Sequence, residues 1–323
     1  MPYHAPLLAR IGHVNTIRAH FNRGLRPAYV RERIETADGD FFDVDRVAGR
    51  PGAPRLVGLH GLEGSSESAY MQRLMGTANQ LGWELTVIHA RGCSGADNRL
   101  ASSYHAGFIG DVDAFLRAEK ARAPTLPLLA VGYSLGGSQL GNWLGRTPDA
   151  HHIVSAAVLV SPPLRLAPGA DAICTGHNRH VYGRRFLRSL RAKALQKAQA
   201  WPEHRGRALA AARARSIRHY DELWTGPMHG FLGAEDYYAR AGSAPYIRHI
   251  RVPTRVLHAI DDPFIPVAAV PDDAFIGAQH VELVRTRHGG HVGFHGQRGV
   301  THGTRNWLEG WILRALHDLA GLA

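Results

Sequence analysis

Short apolar runs alternate with stretches of helical periodicity along most of this chain, and that alternation constrains its fold more than any other feature. The runs are Arg55–Leu59, Glu84–His89, Leu128–Val131, Ala156–Val160, Pro253–Ala259 and His280–Arg285. Between several of them lie amphipathic stretches: Ser68–Leu81 ending at Gly82, Asp111–Arg122 and Gly136–Arg146. Strands that are apolar on both faces, joined by helices, predict a parallel sheet covered on both sides. Two further runs, Tyr29–Glu35 and Phe41–Val47, alternate in polarity and flank Asp38-Gly39. That is a hairpin signal, so the sheet is expected to begin antiparallel. A last helix is expected over about Thr304 to Leu319. Leu308, Trp311, Ile312, Ala315 and Leu319 fall at helical spacing there with Trp307 beside them, as core packing requires.

One interval breaks the alternation. From about Pro168 to Arg248 the sequence is helical and basic, as in YGRRFLRSLRAKALQKAQAW and RALAAARARSIRHYDELW. It falls between the strands ending near Val160 and beginning near Pro253. A helical cap over residues 168–248 is therefore expected above the C-terminal edge of the sheet, where open α/β sheets hold their sites. The rest of the 323 residues read as a single domain.

Composition excludes several classes. Hydrophobic residues make up 45% and charged residues 20%, which allows a large core and argues against disorder. Two cysteines, Cys93 and Cys174, make neither a disulfide framework nor a zinc cluster and suit a reducing compartment. The first residues lack the apolar run of a signal peptide, and nowhere do about 18 apolar residues follow one another. The default expectation is cytoplasmic. The formal net charge of +11 raises nucleic acid, an anionic membrane or an acidic substrate as partners. No nucleic-acid module and no aromatic platform accompanies the basic runs, so nucleic acid is not expected.

The sharpest chemical signal is Gly132-Tyr133-Ser134-Leu135-Gly136-Gly137, which follows an apolar run and opens a helical stretch. A serine on so sharp a strand-to-helix turn projects its hydroxyl above the sheet, at a helix end that favours negative charge. The hydroxyl needs a base to take its proton. Two downstream loops sit at strand ends: HAIDDPFIP (258–266) and HGGHVGFH (288–295). From the first, Asp262 is taken as the orienting acid because it stands four residues before Pro266; Asp261 is the alternative and would otherwise cap the turn. From the second, His291 is taken as the base, since Gly289-Gly290 allows a tight loop that aims the next residue inward. A metal site on His288, His291 and His295 is the rival. Two glycines make a poor helix, and no acidic or Cys partner lies nearby in sequence, so no metal is expected. The loop His60-Gly61-Leu62-Glu63-Gly64-Ser65-Ser66 follows the strand Arg55–Leu59. With the residue after the nucleophile it supplies oxyanion N–H groups, assigned to Leu62 and Leu135. Glu63 reads as a local helix-start residue, and Cys93 as a small packed residue near the site. Tyr104 and His105 fit a pocket wall, the surface or the core equally.

Together these segments resemble the YheT-like, embryogenesis-associated branch of the α/β-hydrolase superfamily, over about Ile11 to Trp311. The resemblance rests on HGLEGSS (60–66), RGCSGADNRLASSYHAG (91–107), GYSLGG (132–137), HGFLGAEDYYARAGSAPYI (229–247), HAIDDPFIP and HGGHVGF (288–294). It implies an α/β-hydrolase fold, a carboxylesterase or acylglycerol-lipase type of activity, and a triad on Ser134, Asp262 and His291. One departure stands at the N-terminus, where the family's Pro-His-Leu-Gln-Thr is replaced by Gly12-His13-Val14-Asn15-Thr16.

The expected reaction is hydrolysis of a small-molecule or lipid ester through an acyl-enzyme, with no cofactor. Acyl transfer to an alcohol or thiol uses the same triad and remains the alternative within enzymes. A non-catalytic, basic nucleic-acid-binding protein is the alternative outside them. The cap adds an expectation of peripheral contact with an anionic membrane. On a helix, Arg184, Arg188 and Arg191 share one stripe, while Leu187, Leu190 and Ala194 share another that faces the core. The plainer alternative is a solvated basic face.

Overall fold

The computed structural model describes residues 3–24, 26–296 and 307–322. Its eight strands form one sheet: β1 (Val30–Glu35), β2 (Phe41–Val47), β3 (Arg55–Leu59), β4 (Glu84–Ile88), β5 (Leu128–Tyr133), β6 (Ala156–Val160), β7 (Thr254–Ala259) and β8 (Val281–Thr286). The spatial order is β1-β2-β4-β3-β5-β6-β7-β8. β2 runs antiparallel to β1 and β4, and every other pairing is parallel. The β1–β2 hairpin turns at Gly39, whose φ of 81° suits the residue without a Cβ. Every residue of β3, β5 and β6 is buried, which explains why these strands read as unbroken apolar runs.

A helix the sequence reading does not expect, α1 (Gly12–Phe21), precedes the sheet, and the three expected ones are present as α2 (Ala69–Gln80), α3 (Gly110–Arg122) and α4 (Leu135–Arg146). The last helix is described from Trp307 to Leu319, and its expected start at Thr304 lies outside the described residues. Leu308, Ile312 and Ala315 bury against the sheet, and Trp307 stacks on Trp311. A buried ion pair, Arg73 to Glu309 at 2.7 Å, joins α2 to this helix.

The strand order places a switch point at β3. The chain leaves β3 outward to β4 and then returns to its other side with β5. The loops after β3 and β5 therefore diverge and leave a crevice between them at the C-terminal edge. Above that edge, between β6 and β7, the chain forms helical segments from Leu166–Ile173 through Ala244–His249, with the long helix Arg184–Ala200 at their centre. Leu187, Leu190 and Ala194 of the long helix are buried in a cluster with Tyr220 and Trp224. The arginine stripe expected there is broken. Arg184 and Arg188 are exposed, but the Arg191 guanidinium turns in and donates to the Ala214 carbonyl, with its Nε at 2.9 Å. A helix whose neighbour offers an uncapped carbonyl recruits the nearest cation, and sequence periodicity does not register that.

Candidate active site

Ser134 follows β5 and caps α4 with φ 51° and ψ −120°, a conformation that residues other than glycine rarely hold. Its neighbours make the turn possible. A Cβ on Gly132 would sit 2.4 Å from the Gly136 carbonyl oxygen, and one on Gly136 would sit 2.4 Å from that of His60. Both positions are therefore restricted to glycine by contact, and α4 presses directly on the end of β3. Glu63, Ser161, Val292 and Phe294 also carry positive φ. All four lie in loops at this same edge, so backbone strain is concentrated around Ser134.

The three side chains expected to act together are adjacent. Ser134 Oγ lies 3.0 Å from His291 Nε2, and His291 Nδ1 lies 2.9 Å from Asp262 Oδ2. The Asp262 carboxylate is fully buried, and its Oδ1 accepts the N–H groups of Phe264 and Ile265 at 2.8 and 3.0 Å. Phe264 also stacks on the His291 ring at 4.4 Å. Asp261 serves the next loop instead. It accepts the Gly290 N–H at 2.8 Å and faces His288 Nδ1 at 3.3 Å. The 288–295 segment forms turns, and its three histidines have separate surroundings: Asp261 for His288, Ser134 and Asp262 for His291, and for His295 a half-buried position whose desolvation holds its pKa down to about 4. No cluster of three or more His, Cys, Asp or Glu side chains is arranged for a metal among the described residues.

The N-terminal segment carries part of the site that the sequence did not reveal. α1 turns Gly12, Asn15, Thr16 and Ala19 inward. The Thr16 hydroxyl accepts the His291 N–H at 2.9 Å and donates to the Gly12 carbonyl at 2.8 Å. Asn15 Oδ1 accepts the His295 N–H at 3.2 Å. A Cβ on Gly290 would meet the Gly12 carbonyl oxygen at 2.3 Å, so helix and loop are in close register. The Gly-His-Val-Asn-Thr run was the available signal. Only the contact with a loop about 275 residues later gives it meaning.

Across Ser134 stands the 60–66 loop. A Cβ on Gly61 would lie 3.0 Å from that of Ser134. The N–H groups of Leu62 and Leu135 meet no acceptor among the described residues, and both residues line the pocket beside Ser134. His60 braces the loop: its Nδ1–H donates to the Gly61 carbonyl at 2.7 Å, and its Nε2 accepts the Ala90 N–H at 3.0 Å. Burial holds its pKa down to about 3, so it is a neutral strut. Glu63 proves to be a latch, not a helix start. Its buried carboxylate accepts from Lys193 Nζ at 2.7 Å, from the Tyr104 hydroxyl at 3.0 Å and from Ser189. Its own N–H donates to Tyr104 Oη at 2.9 Å. Lys193 and Ser189 belong to the long helix over the site, so one side chain ties that helix to the loop. Cys93 lies behind, 3.3 Å from Lys193 Nζ, with its thiol pKa raised by burial.

The loop, the elbow and the long helix enclose a cavity of about 120 Å³ that reaches Ser134. Its walls are mainly apolar, including Leu62, Leu135, Leu166, Ile173, Leu190 and Trp224. Tyr104 and His105 line it as well, and burial keeps His105 neutral with a pKa of about 3. Asp221 at the far wall accepts from the Tyr238 hydroxyl at 2.7 Å, and burial pushes its carboxyl up to about 6.

Comparison with known proteins agrees with this architecture. The family model for the alpha/beta hydrolase fold matches residues 54–296. YheT of Escherichia coli (strain K12) is 39% identical over 296 residues, covering 90% of this chain and 86% of its own. The monoacylglycerol lipase of Saccharomyces cerevisiae is 32% identical over 275 residues, covering 82% of this chain, which spans 60% of that longer protein. Among solved structures, the esterase Pf2001 of Pyrococcus furiosus superposes with a TM-score of 0.54 at 14% identity, over 82% of this chain and 84% of its own, and shares the fold. The chain belongs to the YheT-like branch of the α/β-hydrolase family, among relatives of esterase and lipase type.

Proposed function

We propose that this protein is a serine hydrolase of carboxylic esters, with acyl chains of short or medium length or acylglycerol-type lipids as the substrate class. The observation that carries the reading is the unbroken hydrogen-bond relay from Ser134 Oγ through His291 to a buried Asp262. A carboxylate on Nδ1 keeps the proton there, so Nε2 faces the serine as an acceptor. His291 takes the hydroxyl proton as Ser134 attacks the ester carbonyl, and Asp262 stabilises the resulting imidazolium. The Leu62 and Leu135 N–H groups receive the oxyanion, and such donors contribute about 3–4 kcal/mol to the transition state each. His291 then protonates the leaving alcohol, and a water molecule repeats the sequence on the acyl-enzyme. The apolar cavity takes the acyl chain, and the helical interval 168–248 acts as a cap that keeps bulk water from it.

The test is Ser134→Ala. Hydrolysis of a chromogenic short-chain ester and covalent labelling by a fluorophosphonate should both disappear while the fold is retained. Labelling that persists on another serine or on Cys93 would overturn the assignment.

A further inference from the structure

The outer face of α1 is built the wrong way round for a helix that packs on a protein. Its inward side is small or polar, with Gly12, Asn15, Thr16 and Ala19. Its larger apolar residues point outward: Ile17 is 41% exposed and Phe21 75%. Leu7 and Ile11, just before the helix, are 78% and 57% exposed. Amphipathic helices of globular proteins have the opposite arrangement. The turn that begins the long cap helix lies alongside. The His13 ring is parallel to Tyr182, with Nδ1 3.2 Å from its hydroxyl, and Arg185 reaches the His20 ring at 2.7 Å. Val181 on that turn is 54% exposed.

Charge selects what could cover such a face. Residues 1–31 and 172–202 contain no Asp or Glu. Arg10, Arg18, Arg23, Arg179, Arg184 and Arg188 are all exposed, and none of them pairs with a carboxylate among the described residues. Exposed apolar side chains ringed by unpaired cations match an anionic lipid surface, where the apolar groups enter the headgroup boundary and the arginines meet phosphates.

We propose that α1 and the adjoining 179–188 turn form a docking face for an anionic bilayer. This relocates the expected membrane contact from the long cap helix alone, where Arg191 is turned inward, to the joint between that helix and α1. Because Thr16 on the opposite side of α1 holds the His291 backbone, docking would set the candidate active site directly behind the lipid surface. That a lipid ester is then hydrolysed rests on the ester-hydrolase reading; the docking itself does not.

The experiment is cosedimentation of the full chain, as its Ser134→Ala variant, with vesicles of phosphatidylcholine alone or mixed with phosphatidylglycerol. Binding should require phosphatidylglycerol and weaken as salt rises. Ile17→Ser with Phe21→Ser should lower the partition about tenfold, as loss of two partly inserted apolar side chains predicts. Arg184→Gln with Arg188→Gln should lower it by a similar factor. In the Ser134-containing background both pairs should leave hydrolysis of a soluble ester and the circular dichroism spectrum unchanged. Wild-type protein that stays in the supernatant at low salt overturns the proposal, as does binding that neither pair reduces. So does self-association without vesicles that Phe21→Ser abolishes, because the face would then be covered by a second copy. Vesicle binding by a protein with no esterase activity would overturn the proposed function and leave the docking face standing.

Discussion

Replacing Asp262 by asparagine should damage catalysis far more than the same change at Asp261, and the hydrogen bonds set the size of the effect. Asp262 uses Oδ2 for His291 Nδ1 and Oδ1 for two buried backbone N–H groups. An asparagine has a single acceptor oxygen. If that oxygen stays on the two N–H groups, the amide NH2 faces Nδ1. The imidazole must then carry its proton on Nε2 and offers Ser134 a donor where an acceptor is needed. In the template triad that loss is about 10⁴-fold. If the amide flips instead, the tautomer is right but the N–H groups of Phe264 and Ile265 lose their acceptor. Each costs about 1–3 kcal/mol, so the productive state lies about 2–6 kcal/mol above the other. At about 1.4 kcal/mol per decade, the flipped route retains roughly 1/30 to 1/20,000 of the activity, and the unflipped route sets a floor near 1/10,000. The expected fall in kcat for Asp262→Asn is therefore about 30-fold to 10⁴-fold. KM should change little, because Asp262 is not among the residues lining the cavity. At Asp261 an amide keeps its oxygen on the Gly290 N–H and turns its NH2 to His288. One ordinary hydrogen bond is at stake, so the loss should stay within about tenfold. Steady-state kinetics on a chromogenic ester, with both variants checked for folding, decides the matter. Asp262→Asn within tenfold of wild type, or Asp261→Asn the worse of the two, would refute the reasoning.

Other perturbations test the supports of the site. Lys193→Met strands the buried Glu63 carboxylate and should cost about 3 kcal/mol in denaturant unfolding; adding Glu63→Gln should restore most of it, since removing one partner of a buried pair costs more than removing both. Additive losses in the double variant would show that the latch does not exist. Thr16→Val leaves the His291 N–H without its acceptor and should cost about 1–3 kcal/mol in stability, together with a fall in kcat and little change in KM. The Asp221 carboxyl, raised to about 6 by burial, contributes stability that is intact below the unfolded pKa near 4. That stability is lost as pH rises through 6. Asp221→Asn should therefore raise the melting temperature at pH 8, by removing a penalty of roughly 3 kcal/mol, and leave it nearly unchanged at pH 3. Equal gains at both pH values would mean that the carboxyl is not buried as described.

The sequence alone determined those features whose cause is local. Six apolar runs and one hairpin became eight strands, because a strand buried on both faces must be apolar throughout and a tight turn needs Asp-Gly chemistry. The elbow at Ser134 was legible for a similar reason: its glycines answer contacts within a few residues, apart from the approaches of Gly136 to His60 and of Gly137 to Pro162. The two loops bearing Asp262 and His291 were legible as loops at strand ends. What the tertiary structure alone decided is everything that joins distant segments. No periodicity tells Asp261 from Asp262, and in the sequence only the spacing to Pro266 favours Asp262; their partners are fixed when β7 and β8 lie side by side and their loops give Gly290 to Asp261 and His291 to Asp262. Glu63 looked local and is instead held by a lysine 130 residues away. Thr16 carries no local signal of its own and holds the His291 backbone N–H from 275 residues away. α1 is not legible in the sequence because its buried face is small and polar and its apolar face is exposed, which inverts the usual helical pattern. Local propensity depends on neighbours along the chain, whereas a polar side chain takes its role from the partner that folding brings to it.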